Sequence, residues 1–312
     1  MMQREVEHEI LVRAAPRTVY RLVEDVANWP RLFPPTVFVD HLWRGDGEER
    51  LRIWATVGDG VKSWTSHRRS DPDALRIDFR QEEPFPPAAA MSGSWIVEPA
   101  GPGTSRVRLL HGYRAVEDAP DSLTWLDEVV DRNSRAELAA LKDGAEQAND
   151  LAARTVTFED TLRVDAPAEA VYAFLNEAQH WSARLPHVAE VELDETTPGI
   201  QRLRMHTRTK DGSTHTTESV RVCLPPHRIV YKQTHLPALM SLHIGSWELA
   251  EDGDGVTTAT SRHTAVVDPA NVTAVLGAGA GIAEARSYLR SALGGNSLAT
   301  LEHAGRHAEA AL

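Results

Sequence analysis

The chain has 312 residues, 42% of them apolar and 25% charged, a balance that builds folded domains and excludes a wholly disordered chain. Its formal net charge of −12 excludes a nucleic-acid binder or an anionic-membrane binder unless Lys and Arg cluster locally. The single cysteine, Cys223, excludes an intrachain disulfide, and neither a secretory h-region nor an apolar run of about 18 residues is present, so a cytoplasmic location is expected.

In chain order, Val6, His8, Ile10 and Val12 alternate with polar neighbours, which predicts a half-buried strand. Val19, Leu22, Val23 and Val26 then form one face of a helix entered through Ala15-Pro16. From Trp29 to Pro35 the prolines forbid a long helix and predict a bend. Alternating runs from about 36 to 114 are separated by turn signals at Gly45-Asp46-Gly47, Asp59-Gly60, Asp71-Pro72-Asp73 and Gly101-Pro102-Gly103. A long helix over about 121–148 follows, with Leu126, Val129, Val130, Asn133 and Ala140 near one stripe.

The whole pattern recurs. An offset of 152 residues carries Val19-Tyr20 onto Val171-Tyr172, Trp29 onto Trp181, Asp59-Gly60 onto Asp211-Gly212, Ser94-Trp95 onto Ser246-Trp247 and His111 onto His263. Asn133-Ser134 meets Asn296-Ser297 only at an offset of 163, which puts about eleven extra residues in the second half. Solenoid repeats run roughly 20–50 residues, so a period this long means duplicated domains. The expected division is 1–150 and 151–312, with a linker near 148–155. Each half reads as an α+β unit: about seven antiparallel strands wrapped around a long C-terminal helix, the helix-grip layout.

Residues that carry chemistry concentrate in Trp64-Thr65-Ser66-His67-Arg68-Arg69. Strand side chains alternate in direction, so Trp64, Ser66 and Arg68 share one face. Turned inward, they offer an indole, a hydroxyl and a guanidinium to one cavity, and a buried unpaired Arg demands an anionic or strongly polar ligand. Turned outward, or paired with Asp or Glu, Arg68 is a structural residue; parity alone leaves both readings open. Trp29, Phe33, Trp95 and Met91 suit an extended ligand or ordinary core filling, and Asn133 interrupts the apolar stripe of the long helix.

Three motifs are distinctive together: Trp29-Pro30-Arg31-Leu32-Phe33-Pro34-Pro35-Thr36-Val37, then Trp64-Thr65-Ser66-His67-Arg68, then Met91-Ser92-Gly93-Ser94-Trp95. In these the chain resembles the di-domain aromatase/cyclases of bacterial type II polyketide synthases, across nearly its full length. The resemblance implies tandem START/Bet v1-like helix-grip domains. It also implies cofactor-independent aldol closure and dehydration of the first ring of a poly-β-ketone held on an acyl carrier protein, among other synthase subunits. Pocket roles carry over to Trp29, Phe33, Trp64, Ser66, Arg68, Met91, Trp95 and Asn133, with Arg68 and Ser66 as the catalytic pair. Where single-domain relatives look to have a Tyr, this chain has Thr36, so a phenolic donor is not implied.

At the same offset the second half presents Thr216, Glu218 and Val220 in place of Trp64, Ser66 and Arg68, and His243 in place of Met91, while Trp181 and Trp247 remain. That is an aromatic frame without the guanidinium. Glu218 and His243 then form an acid/base pair, or the half is a structural partner. Neither the histidines nor Gly277-Ala278-Gly279-Ala280-Gly281 has metal- or phosphate-site spacing, so no metal is expected. Because fold does not decide function, a non-catalytic hydrophobic carrier and a purely structural synthase subunit are the competing readings.

Overall fold

The structure is a computed structural model that describes residues 3–58, 60–208 and 214–311. Asp59, Asp211 and Gly212, which mark one aligned turn of the repeat, lie outside the described residues.

The chain divides into two compact units, 1–148 and 149–312. The first opens with strand β1 (Arg4–Val12) and helix α1 (Pro16–Glu24), whose buried face is Val19, Tyr20 and Val23. The Trp-Pro bend holds one short helix, α2 (Trp29–Leu32), with its proline in the first turn, where no backbone N–H is lost. Then come β2 (Thr36–Gly45), β3 (Glu48–Val57), β4 (Gly60–Asp71), β5 (Arg76–Gln81), β6 (Ala88–Gly101) and β7 (Thr104–Ala115). Helix α3 (Pro120–Glu146) ends the unit and packs on β1 and β7. The sheet order β1-β7-β6-β5-β4-β3-β2 is antiparallel throughout and closes on its own first strand through β7.

Helix α4 (Ala148–Arg154) occupies the stretch expected as a linker. The second unit repeats the order with β8 (Thr155–Val164), α5 (Ala168–Asn176), α6 (Trp181–Arg184) and β9 (Val188–Thr197). Next are β10 (Ile200–Arg208), β11 (Thr214–Leu224), β12 (Arg228–His235), β13 (Met240–Glu251) and β14 (Thr257–Val267). The extra residues form α7 (Val272–Leu276) and a glycine turn before the final helix, α8 (Ile282–Glu309). Gly277 and Gly279 both sit at φ +94°, a conformation that breaks the helix and favours glycine. The two seven-stranded sheets, each covered by a long terminal helix, are the tandem helix-grip arrangement. No helix among the described residues is long and apolar enough to cross a membrane.

Register is where sequence alignment and structure part. In the first unit Glu49 pairs with Arg68, Leu51 with Ser66 and Ile53 with Trp64. The equivalent pairs are Gln201 with Arg221, Leu203 with Ser219 and Met205 with Thr217. The β10–β11 hairpin is one residue longer than β3–β4, and the next hairpin is one shorter: Leu224 pairs with Arg228 where Asp71 pairs with Arg76. A one-residue slip turns every side chain of a strand to the other face. The counterparts of Trp64, Ser66 and Arg68 are therefore Thr217, Ser219 and Arg221, not Thr216, Glu218 and Val220. The second half has its guanidinium after all.

Candidate functional site

Both units bury an arginine in the same way. Arg68 on β4 is 2% exposed; its Nη2 donates to the carbonyl of Glu24 at the end of α1 (3.1 Å), and its guanidinium lies 5.1 Å from the Trp29 ring centroid. Arg221 on β11, also 2% exposed, donates through Nη2 to the carbonyl of Leu175 (2.6 Å) and lies 5.1 Å from the Trp181 ring. Each indole is fixed by its own Nε1–H, on Val23 for Trp29 and on Phe174 for Trp181, both at 3.1 Å. A cation over a desolvated indole is worth about 2 kcal/mol, well short of what removing it from water costs.

The two differ in how the charge is met. Beside Arg68 stands Glu49, with Oε1 3.1 Å from Nε, and Glu49 also meets His41 at 2.8 Å. Burial pulls the Arg68 guanidinium below its ordinary value, and Glu49 opposes the shift. Beside Arg221 stands Gln201, whose Nε2 donates to Asn176 and Glu195 instead. Arg221 has no ion pair among the described residues, and its Nε and Nη1 are buried without hydrogen-bond partners.

Around Arg68 the expected pocket residues are well packed. Trp29 meets Phe33 edge-on at 5.4 Å, and Phe33 stacks on Trp95 at 6.3 Å, within the core that also holds Val12, Val19 and Leu109. Trp64 packs against Leu51 and Ile53, and Met91 against Tyr113 and Leu126. Ser66 is buried with its hydroxyl on the Arg80 carbonyl at 3.2 Å. Asn133 is exposed. The residue of α3 that points into the unit is its neighbour Ser134, at 0% exposure and 3.3 Å from His111 Nδ1. One turn further, burial pushes the half-buried carboxyl of Glu137 up to about 7.

In the second unit a cavity of about 140 Å³ lies between the sheet and α8. Arg221, Tyr231, His243, His263, Trp181 and Trp247 line it, with Thr217, Ser219, Asn296 and Ser297. Tyr231 pairs across the sheet with the strand of Arg221, where the first unit has Phe79 beside Arg68. The Tyr231 hydroxyl lies 3.2 Å from His263 Nδ1, His243 Nε2 lies 3.0 Å from the same atom, and His263 Nε2 lies 3.3 Å from Ser261. Desolvation brings His243 down to about 3 and His263 to about 4, so both are neutral near pH 7. Glu218 takes no part. Its side chain is 46% exposed and meets Arg204 at 3.6 Å on the opposite face, so the expected Glu218–His243 pair does not form.

A sequence profile described as "Polyketide cyclase / dehydrase and lipid transport" matches the chain twice, over residues 3–146 and 155–303. The chain belongs to that family. It is 48% identical to the actinorhodin polyketide synthase bifunctional cyclase/dehydratase of Streptomyces coelicolor, over 96% of this chain and 95% of the relative. It is 45% identical to the granaticin polyketide synthase bifunctional cyclase/dehydratase of Streptomyces virginiae, over 96% and 98%. The crystal structure of the di-domain ARO/CYC BexL from the BE-7585A biosynthetic pathway superimposes with a TM-score of 0.91 at 60% identity, covering 98% of this chain and 99% of that one. That of the di-domain ARO/CYC StfQ from the steffimycin pathway gives 0.89 at 35% identity, over 97% and 98%.

For this cyclase/dehydrase family member, the residues that sequence reading missed are Glu49, Thr217, Ser219, Arg221, Tyr231 and His263. One signal was present: Ser66-x-Arg68 recurs as Ser219-x-Arg221, visible once a one-residue insertion is allowed. Two outcomes are expected. Arg68→Ala leaves Glu49 buried without its cation and destabilises the chain by about 3–5 kcal/mol in denaturant melts, whereas Arg68→Met with Glu49→Gln loses much less. The second is a pH dependence. His243 and His263 take up protons more readily unfolded than folded, so the stability they confer is complete above about pH 6.5 and lost as pH falls toward 4. His243→Phe should flatten that slope in melts from pH 7 to 4.

Proposed function

We propose that this chain closes and aromatises the first ring of a poly-β-ketone presented on an acyl carrier protein, working beside the other subunits of a type II polyketide synthase. The observation that carries the reading is the guanidinium–indole pair buried inside both units of a cyclase/dehydrase family member. A flexible poly-ketone offers many competing carbon–carbonyl pairings, so orientation in a shaped interior is the largest contribution. An arginine stays protonated and is a poor proton donor; its part is to hold the oxygen on which enolate or alkoxide charge develops.

In this reading residues 1–150 close the ring. Arg68 stabilises the oxyanion, Ser66 orients a water or carbonyl, and Trp29, Phe33, Trp64, Met91 and Trp95 shape the chain's path. Reconstitution of the chain with a minimal synthase tests the proposal. The aromatised first ring should appear, and the Arg68→Met/Glu49→Gln variant should lower it at least tenfold while shunt products rise. An unchanged product profile in a folded variant removes Arg68 from the chemistry. Tight ligand binding with no effect of the wild-type chain on products makes it a carrier.

A further inference from the structure

The ring closure proposed above sets Ser66 and Arg68 to work, yet they are only 4% and 2% exposed in the free chain. A poly-ketone reaches them only after part of the wall moves. Most of that wall is locked: Trp29 is fixed by its own N–H and by Phe33, and Phe33 in turn stacks on Trp95. Trp64 stands two residues before Ser66 on the same face of β4. It packs on Leu51 and Ile53, and it also meets Phe85, with ring centroids 6.4 Å apart at 58°. Phe85 is 37% exposed and belongs to the β5–β6 connection, residues 82–87.

That connection is tied at its ends. Glu82 N–H donates to the Thr65 carbonyl and its carboxylate holds Arg50, while the Pro87 carbonyl accepts from Val116 N–H. Between the ties, prolines leave little to bind with: three of the six residues, Pro84, Pro86 and Pro87, have no N–H. The second unit closes the matching place by other means. Met240 N–H donates to the Pro237 carbonyl as Ala88 N–H does to that of Phe85, so Pro237 is the counterpart of Phe85. Pro237 lines the second cavity beside Thr217, the counterpart of Trp64, and beside Met240 and Leu293. Inserted helix α7 places Val272 and Leu276 in one apolar cluster with Met240 and Leu293. In the first unit β7 runs through one short turn into α3, and an aromatic pair on an exposed connection stands where the second has a packed helix.

We propose that Phe85 is the gate of the first unit: its ring swings off Trp64 to admit the poly-ketone and returns to shut the interior during ring closure. Four steps of extended strand separate Trp64 from Arg68, about 13 Å. A chain entering past Trp64 therefore runs along β4 by Ser66 toward the guanidinium. Shutting the gate excludes water, which strengthens the pull of Arg68 on developing negative charge. It also narrows the pairings open to a flexible chain. An apolar ring suits the task, because it leaves no polar group unpaired when it closes on an indole. Phe85 supplies neither proton nor charge; its part is admission and closure.

A gate here presupposes the ring closure proposed above, and two measurements keep the two claims apart. The first needs no substrate: the full chain is labelled with 5-fluorotryptophan, and the Trp64 line is assigned through Trp64→Phe. That ¹⁹F line should show relaxation dispersion on the microsecond-to-millisecond scale of loop closure, and Phe85→Ala should abolish it. A Trp64 line without dispersion, or with the same dispersion in both chains, overturns the gate whatever the chain catalyses. The second measurement is the reconstituted synthase. Phe85→Ala should still give the aromatised ring, with the share of shunt products raised at least about threefold. An unchanged shunt share overturns the gate and leaves ring closure standing. Absence of aromatised product from the wild-type chain overturns ring closure, and the ¹⁹F comparison then decides the gate alone.

Discussion

A guanidinium cannot be left dry and alone inside a protein, and both units are organised around meeting that constraint. The carbonyl at the C-terminal end of the first helix, an indole pinned by its own N–H, and a strand that directs the arginine inward converge on one charge. These contacts join the helix-and-bend segment to the sheet. They are also incomplete, since among the described residues Nη1 of each arginine is buried without a hydrogen-bond partner. Buried polar groups are nearly always satisfied, and those that are not ask for a functional explanation.

After duplication the two interiors moved apart in charge and polarity. The first supplied Glu49, Met91, Phe79 and Leu109 around its arginine and histidine; the second supplies Gln201, His243, Tyr231 and Ser261 at the matching register. One is compensated and apolar, the other uncompensated and rich in exchangeable protons.

Much of this was legible in the residues. The repeat, the alternating runs, the terminal helices and the shared face of Trp64, Ser66 and Arg68 follow from periodicity, because period 2 and period 3.6 are imposed by backbone geometry; parity left open whether that face turns inward. The second site was not legible at a fixed offset. Two compensating hairpin-length changes shift β11 by one residue and restore the alignment at β12, so most of the repeat stays in step while the strand bearing Arg221 is read inside out. Asn133 failed on a smaller scale: on α3 the inward position belongs to Ser134, a rotation of one residue that an interrupted apolar stripe does not reveal. Burial-driven shifts such as that of Glu137 depend on what packs around a carboxyl, which no local pattern encodes.

The central claim is that Arg221 is a positive charge held ready for a ring-bound oxyanion. The direct measurement is the ionisation of 4-nitrophenol, a ring-sized phenol, read by absorbance when bound to the wild-type chain and to a chain carrying Gln201→Glu with Glu195→Gln, which gives Arg221 the partner that Arg68 already has. Bound phenol should ionise at lower pH than in free solution in the first case, with a smaller shift in the second. The same ionisation in both chains, or in neither case different from free solution, would mean that the buried guanidinium does not serve an oxyanion.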